Sequence, residues 1–571
     1  MGVRTSLALS TVVLATAVSA QFDWSSLNSS TKLSWTPCFD TFQCARFSVP
    51  LQYSNASAGE AQIALVMSPS SYSRDDPNYQ GAILFNPGGP GNSGVNFVLS
   101  LQPYFRAIIG PGYDLVGFDP RAVGVTTPVL SVFKSPPEAL EAFATFPLNT
   151  DDAPSSLGRQ YAVTQIVNDV VRDRAPLIAE SIGTAAIATD MLQIARAFGQ
   201  EKVNYWGISY GSILGSTFAA MFPNNVGRFV IDGVGDAHQY YYGLGTTDPN
   251  SLLHTDAALT SIYDACVAAG PTLCPIWQNS TALVRARVNR LLDEVHLAPV
   301  PLYNASDPVT PFGILDYATV FEAVFQMIYF PYSTGTSTAA ALVALEQGNG
   351  VPLYTGSTAS AIDIVGGTCA PPPGPFVVGF TELIASITCG DAVVDKRRTL
   401  AQTRADYAVT RRTSPFAAAW WAPLFGTCAT FSLKAKDRFN GSFETSTSEP
   451  ILFISNTLDP VTPIDSGRNM SAGFKGSVLL QQNSTGHTSL SGFSTCTALA
   501  IRAYFQHGTL PKKGTICQPD TRIFDTPTNS SGFGGVSIFT RSEENMGLSD
   551  AARIVHKAAP FLSRAWRPRW T

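Results

Sequence analysis

Three polar side chains and two glycine-rich turns in this chain have the types and the order that acyl transfer requires. Ser209 stands in Gly207-Ile208-Ser209-Tyr210-Gly211, after the apolar run Val203–Trp206 and before a small-residue helical pattern that begins at Ser212. A nucleophile held on so tight a strand-to-helix turn has a strained backbone, so its near neighbours must lack side chains. Glycine on both sides meets that demand, and Gly215 follows at a point suited to close helix packing. The five-residue pattern is common by chance; the strand before it and the helix after it distinguish it from an ordinary glycine-rich turn.

A second turn, Asn86-Pro87-Gly88-Gly89-Pro90-Gly91, again follows a strand-like run. Glycine leaves backbone N–H groups able to face a ligand, and in a site of this kind such a loop supplies one donor to the oxyanion while the residue after the nucleophile supplies the other. The expected donors are Gly88, Gly89 and Tyr210. A phosphate-binding loop is the rival reading, but no Gly-Lys-Ser/Thr follows and no G-x-G-x-x-G opens a helix.

The acid and base are expected after the serine, acid first. Asp459 lies in Asn456-Thr457-Leu458-Asp459-Pro460 and His487 in Gly486-His487-Thr488-Ser489, each just past a strand-like run. Of six histidines, His238, His254 and His296 fall in or beside a helix-rich insertion, His507 precedes Gly508 at a helix end, and His556 lies on a terminal helical pattern. Asp119 and Asp232 also follow strands and are rival acids. The chemistry expected is attack by Ser209 on a carbonyl, proton transfer to His487, orientation of the imidazole by Asp459, and hydrolysis of an acyl-enzyme. This chemistry calls for no metal and no cofactor.

The elements that must position these groups are legible as alternating runs. Ala82–Phe85, Tyr113–Phe118, Val203–Trp206 and Arg228–Asp232 read as buried strands, and Thr189–Phe198 as a helix. From about His238 to Lys436 helical patterns dominate, at Ala257–Ala269, Leu283–His296, Tyr317–Tyr329 and Thr338–Glu346. Strands return at Pro450–Ile454 and Ser477–Gln481. This alternation predicts an α/β fold, a mostly parallel sheet flanked by helices and interrupted by a mainly helical cap. The expected organisation is a first core part over 21–237, the cap over 238–436 and a second core part over 437–571.

Composition sets the compartment. The 571 residues are 45% hydrophobic and only 14% charged, a globular balance with a large core. Residues 1–20 carry Arg4, an apolar run Leu7–Val18 and the small-residue site Val18-Ser19-Ala20, which reads as a secretory signal peptide cleaved after Ala20. Its loss removes Arg4 and takes the formal net charge from −5 to −6, giving no reason to invoke nucleic acid or an anionic membrane. No later run nears the ~18 apolar residues of a membrane span. Glycosylation sequons begin at Asn28, Asn55, Asn279, Asn304, Asn440, Asn469, Asn483 and Asn529. Nine cysteines lack the paired spacing of zinc ribbons. Proximity along the chain suggests bridges Cys38–Cys44, Cys266–Cys274, Cys389–Cys428 and Cys496–Cys517, with Cys369 left over; the sequence does not exclude other pairings.

Together these residues resemble the proline iminopeptidase and tripeptidyl aminopeptidase family of α/β-hydrolases. The resemblance rests on Asn86–Gly91, on Asp119-Pro120-Arg121-Ala122-Val123-Gly124, on Gly207–Gly211 and on Asp232–Asp236. The C-terminal region is similar to the tripeptidyl type, with Asp459 in Leu-Asp-Pro-Val-Thr-Pro, His487 in Gly-His, and then Cys496 and Cys517. Two departures lie away from the chemistry: Ala122 stands where the family has glycine, and Thr126 where serine is common. The resemblance runs from about Trp35 to about Phe524, loosely in the cap. It implies the α/β-hydrolase fold and an exopeptidase acting on free peptide N-termini; with the export signals, the expectation is a secreted aminopeptidase that releases one or a few residues. It also implies acidic side chains that meet the substrate's α-amino group; Glu322, Asp391 and Asp236 are the candidates, each equally readable as a surface or structural acid.

The same triad serves every acyl transfer, so an esterase, lactonase or non-peptide amide hydrolase is the first alternative. An inactive binding protein that kept the fold is the second, against which an intact Ser209, Asp459 and His487 argue. The expected partner is a peptide or small acyl substrate, with no nucleic acid and no stable membrane insertion; the oligomeric state is not legible.

Overall fold

The computed structural model describes residues 22–143, 146–243, 249–303, 312–357 and 380–525, with residues 547, 548, 551, 553 and 554. The signal-peptide reading over 1–20, the sequons at Asn304 and Asn529, Cys369 and His556 lie outside the described residues. Eight strands carry the argument: β1 (Phe42–Pro50), β2 (Glu60–Ser68), β3 (Gly81–Asn86), β4 (Tyr113–Phe118), β5 (Val203–Ile208), β6 (Val226–Asp232), β7 (Leu452–Leu458) and β8 (Val478–Thr485). They lie in the order β1-β2-β4-β3-β5-β6-β7-β8 within an 11-stranded sheet, completed by Ser29–Ser30 and Thr36–Cys38 against β1 and by Ile516–Cys517 against β8. The β1–β2 and β2–β4 pairs are antiparallel; from β4 through β3, β5, β6, β7 and β8 every pair is parallel.

Parallel strands are buried on both faces and need helices on both. The period of two along each strand divides the core accordingly. Ile83, Phe85, Trp206, Ile208 and Val230 join one apolar cluster, while Ala82, Leu84, Val203, Tyr205, Phe229 and Ile231 join the other. The first face is covered by helices α1 (Gly94–Ile109) and α6 (Thr495–His507), the second by α2 (Thr184–Ala197) and α3 (Tyr210–Met221). Aromatic packing stiffens the first layer: Phe85 and Phe105 lie 4.3 Å apart, and Phe105 meets Trp206 edge-on at 5.4 Å. Such pairs contribute about 0.5–1.5 kcal/mol beyond the area they bury.

The insertion is largely helical. Thr255–Ala269 and Thr281–Leu297 lead to α4 (Tyr317–Tyr329) and α5 (Pro331–Glu346). Helix α5 starts a full two turns before the expected Thr338, because Pro331 occupies its first position, where a missing N–H costs nothing. An antiparallel pair, Val300–Tyr303 with Phe312–Leu315, stands among these helices. The later part of the insertion turns back onto the second core face: Leu383, Ile387, Cys389 and Cys428 join the cluster beneath α2 and α3.

Four disulfides join Cys38 to Cys44, Cys266 to Cys274, Cys389 to Cys428 and Cys496 to Cys517. The sequon asparagines Asn28, Asn55, Asn279, Asn440, Asn469 and Asn483 are all exposed. Among the described residues no helix is long and apolar enough to cross a membrane.

Candidate active site

Strands β5, β6, β7 and β8 are neighbours and all point the same way, so their carboxyl ends form one edge. Ser209 follows the end of β5, Asp459 the end of β7, and His487 the end of β8. Ser209 sits at φ 60° and ψ −121°, in a region L-residues rarely adopt. Strain of this kind costs on the order of 1–3 kcal/mol and persists only where surrounding contacts over-determine it. Here Ser209 N–H donates to the Asp232 carbonyl at 2.9 Å, and Ser212 donates its N–H and hydroxyl to the Ser209 carbonyl.

The glycine-rich loop lies directly against this elbow. A side chain at Gly88 (φ +98°) would meet the Ile208 carbonyl at 2.5 Å, Ser209 Cβ at 2.8 Å and Tyr210 N at 3.0 Å. Gly88 N–H donates to Asn86 Oδ1 at 3.0 Å, which takes it out of the expected pair of loop donors. Tyr210 is the first residue of α3, and the first N–H groups of a helix have no intrahelical partner. The positive end of the helix dipole therefore lies at the Ser209 turn.

His487 and Asp459 meet in a dry setting. Nδ1 of His487 lies 3.0 Å from each Asp459 oxygen, and both side chains are buried. Asp459 also accepts from the N–H groups of Val461 (3.0 Å), Thr462 (2.8 Å) and Thr488 (2.9 Å). Burial pushes its carboxyl up, but the His487 charge and these hydrogen bonds outweigh burial and hold it below the usual carboxylate range. The hydroxyl of Thr462 lies 3.2 Å from the same Nδ1. With Nδ1 so engaged, the ring's Nε2 is the nitrogen left to exchange a proton. The cap closes over this pair: His487 N–H donates to the Tyr329 carbonyl at 2.9 Å, and the Tyr329 ring stands edge-on at 5.0 Å.

The two rival acids have other tasks. Asp119 accepts from Ser93 Oγ and from the N–H groups of Val95 and Val125, so it ties the start of α1 to the turn after β4. Asp232 accepts from Ser489 N–H at 2.9 Å and from Ser489 Oγ. Arg121, within the family-like Asp-Pro-Arg segment, is buried and forked onto Asp190 at 2.6 and 2.7 Å, a structural clasp.

The three acids expected to meet an amine are placed differently from one another. Asp391 is fully buried, but its carboxylate accepts from Thr184 N–H, Thr184 Oγ1 and Tyr240 O–H; it caps α2 and does not line an ammonium site. Burial pushes Asp391 up to about 6 against those hydrogen bonds. Asp236 caps the helix Ala237–Tyr242 through Gln239 N–H and holds Asn469 Nδ2 at 2.8 Å, so it too is structural. Glu322 lies on α4, half-buried, two turns before Tyr329. An acid the sequence did not single out, Glu382, is buried with neither oxygen hydrogen-bonded among the described residues. Burial pushes its carboxyl up to about 8.

Residues 81–307 match the family model described as alpha/beta hydrolase fold, the stretch that carries the glycine-rich loop and the serine elbow. This chain has the α/β-hydrolase fold. Residues 414–517 of the hydrolase match the model described as TAP-like protein, which covers Asp459 and His487. The tripeptidyl aminopeptidase of Streptomyces coelicolor is 32% identical over 198 residues, 34% of this chain and 35% of that protein. The chain thus matches about a third of the length of that relative. Serine protease Hip1 of Mycobacterium tuberculosis is 24% identical over 516 residues, 85% of this hydrolase and 90% of Hip1. Carboxylesterase B of Mycobacterium tuberculosis is 28% identical over 513 residues, with the same coverage of 85% and 90%.

Proposed function

We propose that this α/β hydrolase is a secreted, glycosylated serine peptidase that releases one or a few residues from free peptide N-termini. Ser209 attacks the scissile carbonyl, and His487 takes its proton through Nε2 and returns it to the leaving amine. Asp459 fixes the imidazole tautomer and stabilises its charge. The N–H groups of Gly89 and Tyr210 hold the oxyanion, and water resolves the acyl-enzyme. The observation that carries this reading is the buried Asp459–His487 pair at 3.0 Å, on the same sheet edge as the strained Ser209 turn. The peptide substrate is supported by the match of residues 414–517 to the TAP-like model and by the relatives named as peptidases. Export is supported by four disulfides and by the exposure of all six described sequons.

A second reading, an esterase, is favoured by the relative named carboxylesterase B and by the engagement of Asp391 and Asp236 in helix capping. Matched fluorogenic tripeptides with free and acetylated N-termini, assayed beside a simple ester and with Ser209→Ala as control, separate the two. Cleavage restricted to the free peptides is the expected result. Cleavage of both peptide sets would overturn the aminopeptidase reading and leave a general serine hydrolase, and cleavage of the ester alone would leave the esterase.

A further inference from the structure

Asp232 occupies the centre of this sheet edge, and its carboxylate bonds Ser489 in the loop that carries His487. It is the last residue of β6, between β5 and β7, and pairs in register with Ile208 on one side and Ile454 on the other. Its main chain and side chain point to different loops. The carbonyl accepts from Ser209 N–H at 2.9 Å. The carboxylate accepts from Ser489 N–H and Oγ, two residues beyond His487. The next residue, Gly233 (φ +61°), is closed in from the same side: a side chain there would meet Thr488 Cγ2 at 2.5 Å and Thr462 Oγ1 at 3.4 Å. One two-residue segment therefore touches the loops of all three candidate catalytic groups.

We infer that Asp232 is a positioning residue: it locks the Ser209 turn and the His487 loop to each other through its own backbone and carboxylate. The inference rests on the reading of Ser209 as nucleophile and His487 as base. Geometry explains why an acid stands here. Ser489 presents two donors, N–H and O–H, and a carboxylate has one oxygen for each. Thr488 sits at φ 66°, so the loop between His487 and Ser489 adopts a backbone that needs holding. A buried, doubly bonded carboxylate can do that, whereas an exposed hydrogen bond would exchange with water.

The carboxylate also carries charge into the site. It is fully buried, and burial pushes it up to about 6 while the Ser489 hydrogen bonds and the His487 charge draw it down. The groups that face it are Ser489 and His487 from the base loop, Asp459 from the loop after β7, and the Tyr104 hydroxyl from α1. At neutral pH it is ionised and adds to the stabilisation of the imidazolium. Its loss removes a negative charge from beside the base.

Asp232→Asn separates position from charge, because an amide keeps both bonds: its oxygen accepts from Ser489 N–H and its NH2 donates to Ser489 Oγ. Each variant is assayed as kcat per active site titrated with a fluorophosphonate, so that misfolded protein does not count. Asp232→Ala is expected to lower kcat ~10²-fold with KM unchanged, in the range of lost positioning interactions. Asp232→Asn is expected to restore kcat to within about threefold and to move the acid limb of the pH profile downward by up to about one unit. Ser489→Ala, which removes only the hydroxyl bond, is expected to lower kcat ~10-fold and decides the matter if Asp232→Ala does not fold. Full kcat in Asp232→Ala or in Ser489→Ala, or an Asn variant as poor as the Ala variant, would overturn the inference. Labelling that survives Ser209→Ala would instead remove the nucleophile reading beneath it.

Discussion

Asp459 presents both carboxylate oxygens to Nδ1 of His487 at 3.0 Å, and its other hydrogen bonds among the described residues come from backbone N–H groups. The acid is thus held by main chain as well as by the ring, an arrangement that favours a proton on Nδ1. Desolvation would favour a neutral acid here; the histidine and the three N–H donors reverse that preference.

Asp459→Asn tests this directly. The amide oxygen can satisfy Val461 and Thr462, but the NH2 then faces the Thr488 N–H, two donors against each other, and offers a donor to Nδ1. The ring is forced toward the wrong tautomer. We expect kcat to fall ~10³–10⁴-fold with a folded protein and little change in KM. Steady-state kinetics with an active-site titration check it.

Gly88→Ala probes the oxyanion loop. A methyl at φ +98° cannot be accommodated without moving the loop off the Ile208 carbonyl and Ser209 Cβ. The displaced donor is lost only where negative charge develops, so kcat should drop ~10²–10³-fold while KM changes little. An equal rise in KM at unchanged kcat would contradict that placement.

Glu382 supplies a pH prediction. Its carboxyl is pushed up to about 8 by burial, above the ordinary glutamate value. The folded state therefore holds the proton that the unfolded chain releases above about pH 4.5. Stability from this group is complete below that pH and is lost as pH rises through the folded value, by on the order of a few kcal/mol at pH 8. Glu382→Gln should match the parent melting temperature at pH 4.5 and exceed it at pH 8. Scanning calorimetry at the two pH values reads the difference, and parallel melting curves at both would contradict the assignment.

The sequence revealed what is local. A nucleophile turn is written in five consecutive residues, and the strands before Ser209, Asp459 and His487 announce themselves as short apolar runs. Contacts between distant segments leave no such trace. Ser489 and Asp232 are 257 residues apart, and Thr184 and Asp391 are 207 apart. Asp391 and Asp236 looked like free acids because nothing in the chain says that a carboxylate is capping a helix made elsewhere. The antiparallel strands β1 and β2 were missed because burial on both faces removes the alternation that marks a half-exposed strand. The pair Val300–Tyr303 and Phe312–Leu315 was missed for the opposite reason: Tyr303, Phe312 and Ile314 are exposed and carry no core pattern.

The most direct measurement is intact-mass and peptide mapping of the protein after reaction with a fluorophosphonate, beside Ser209→Ala. The account predicts one adduct per chain, located on Ser209 and absent from the variant. No adduct on a folded protein, or an adduct that persists on Ser209→Ala, would contradict it.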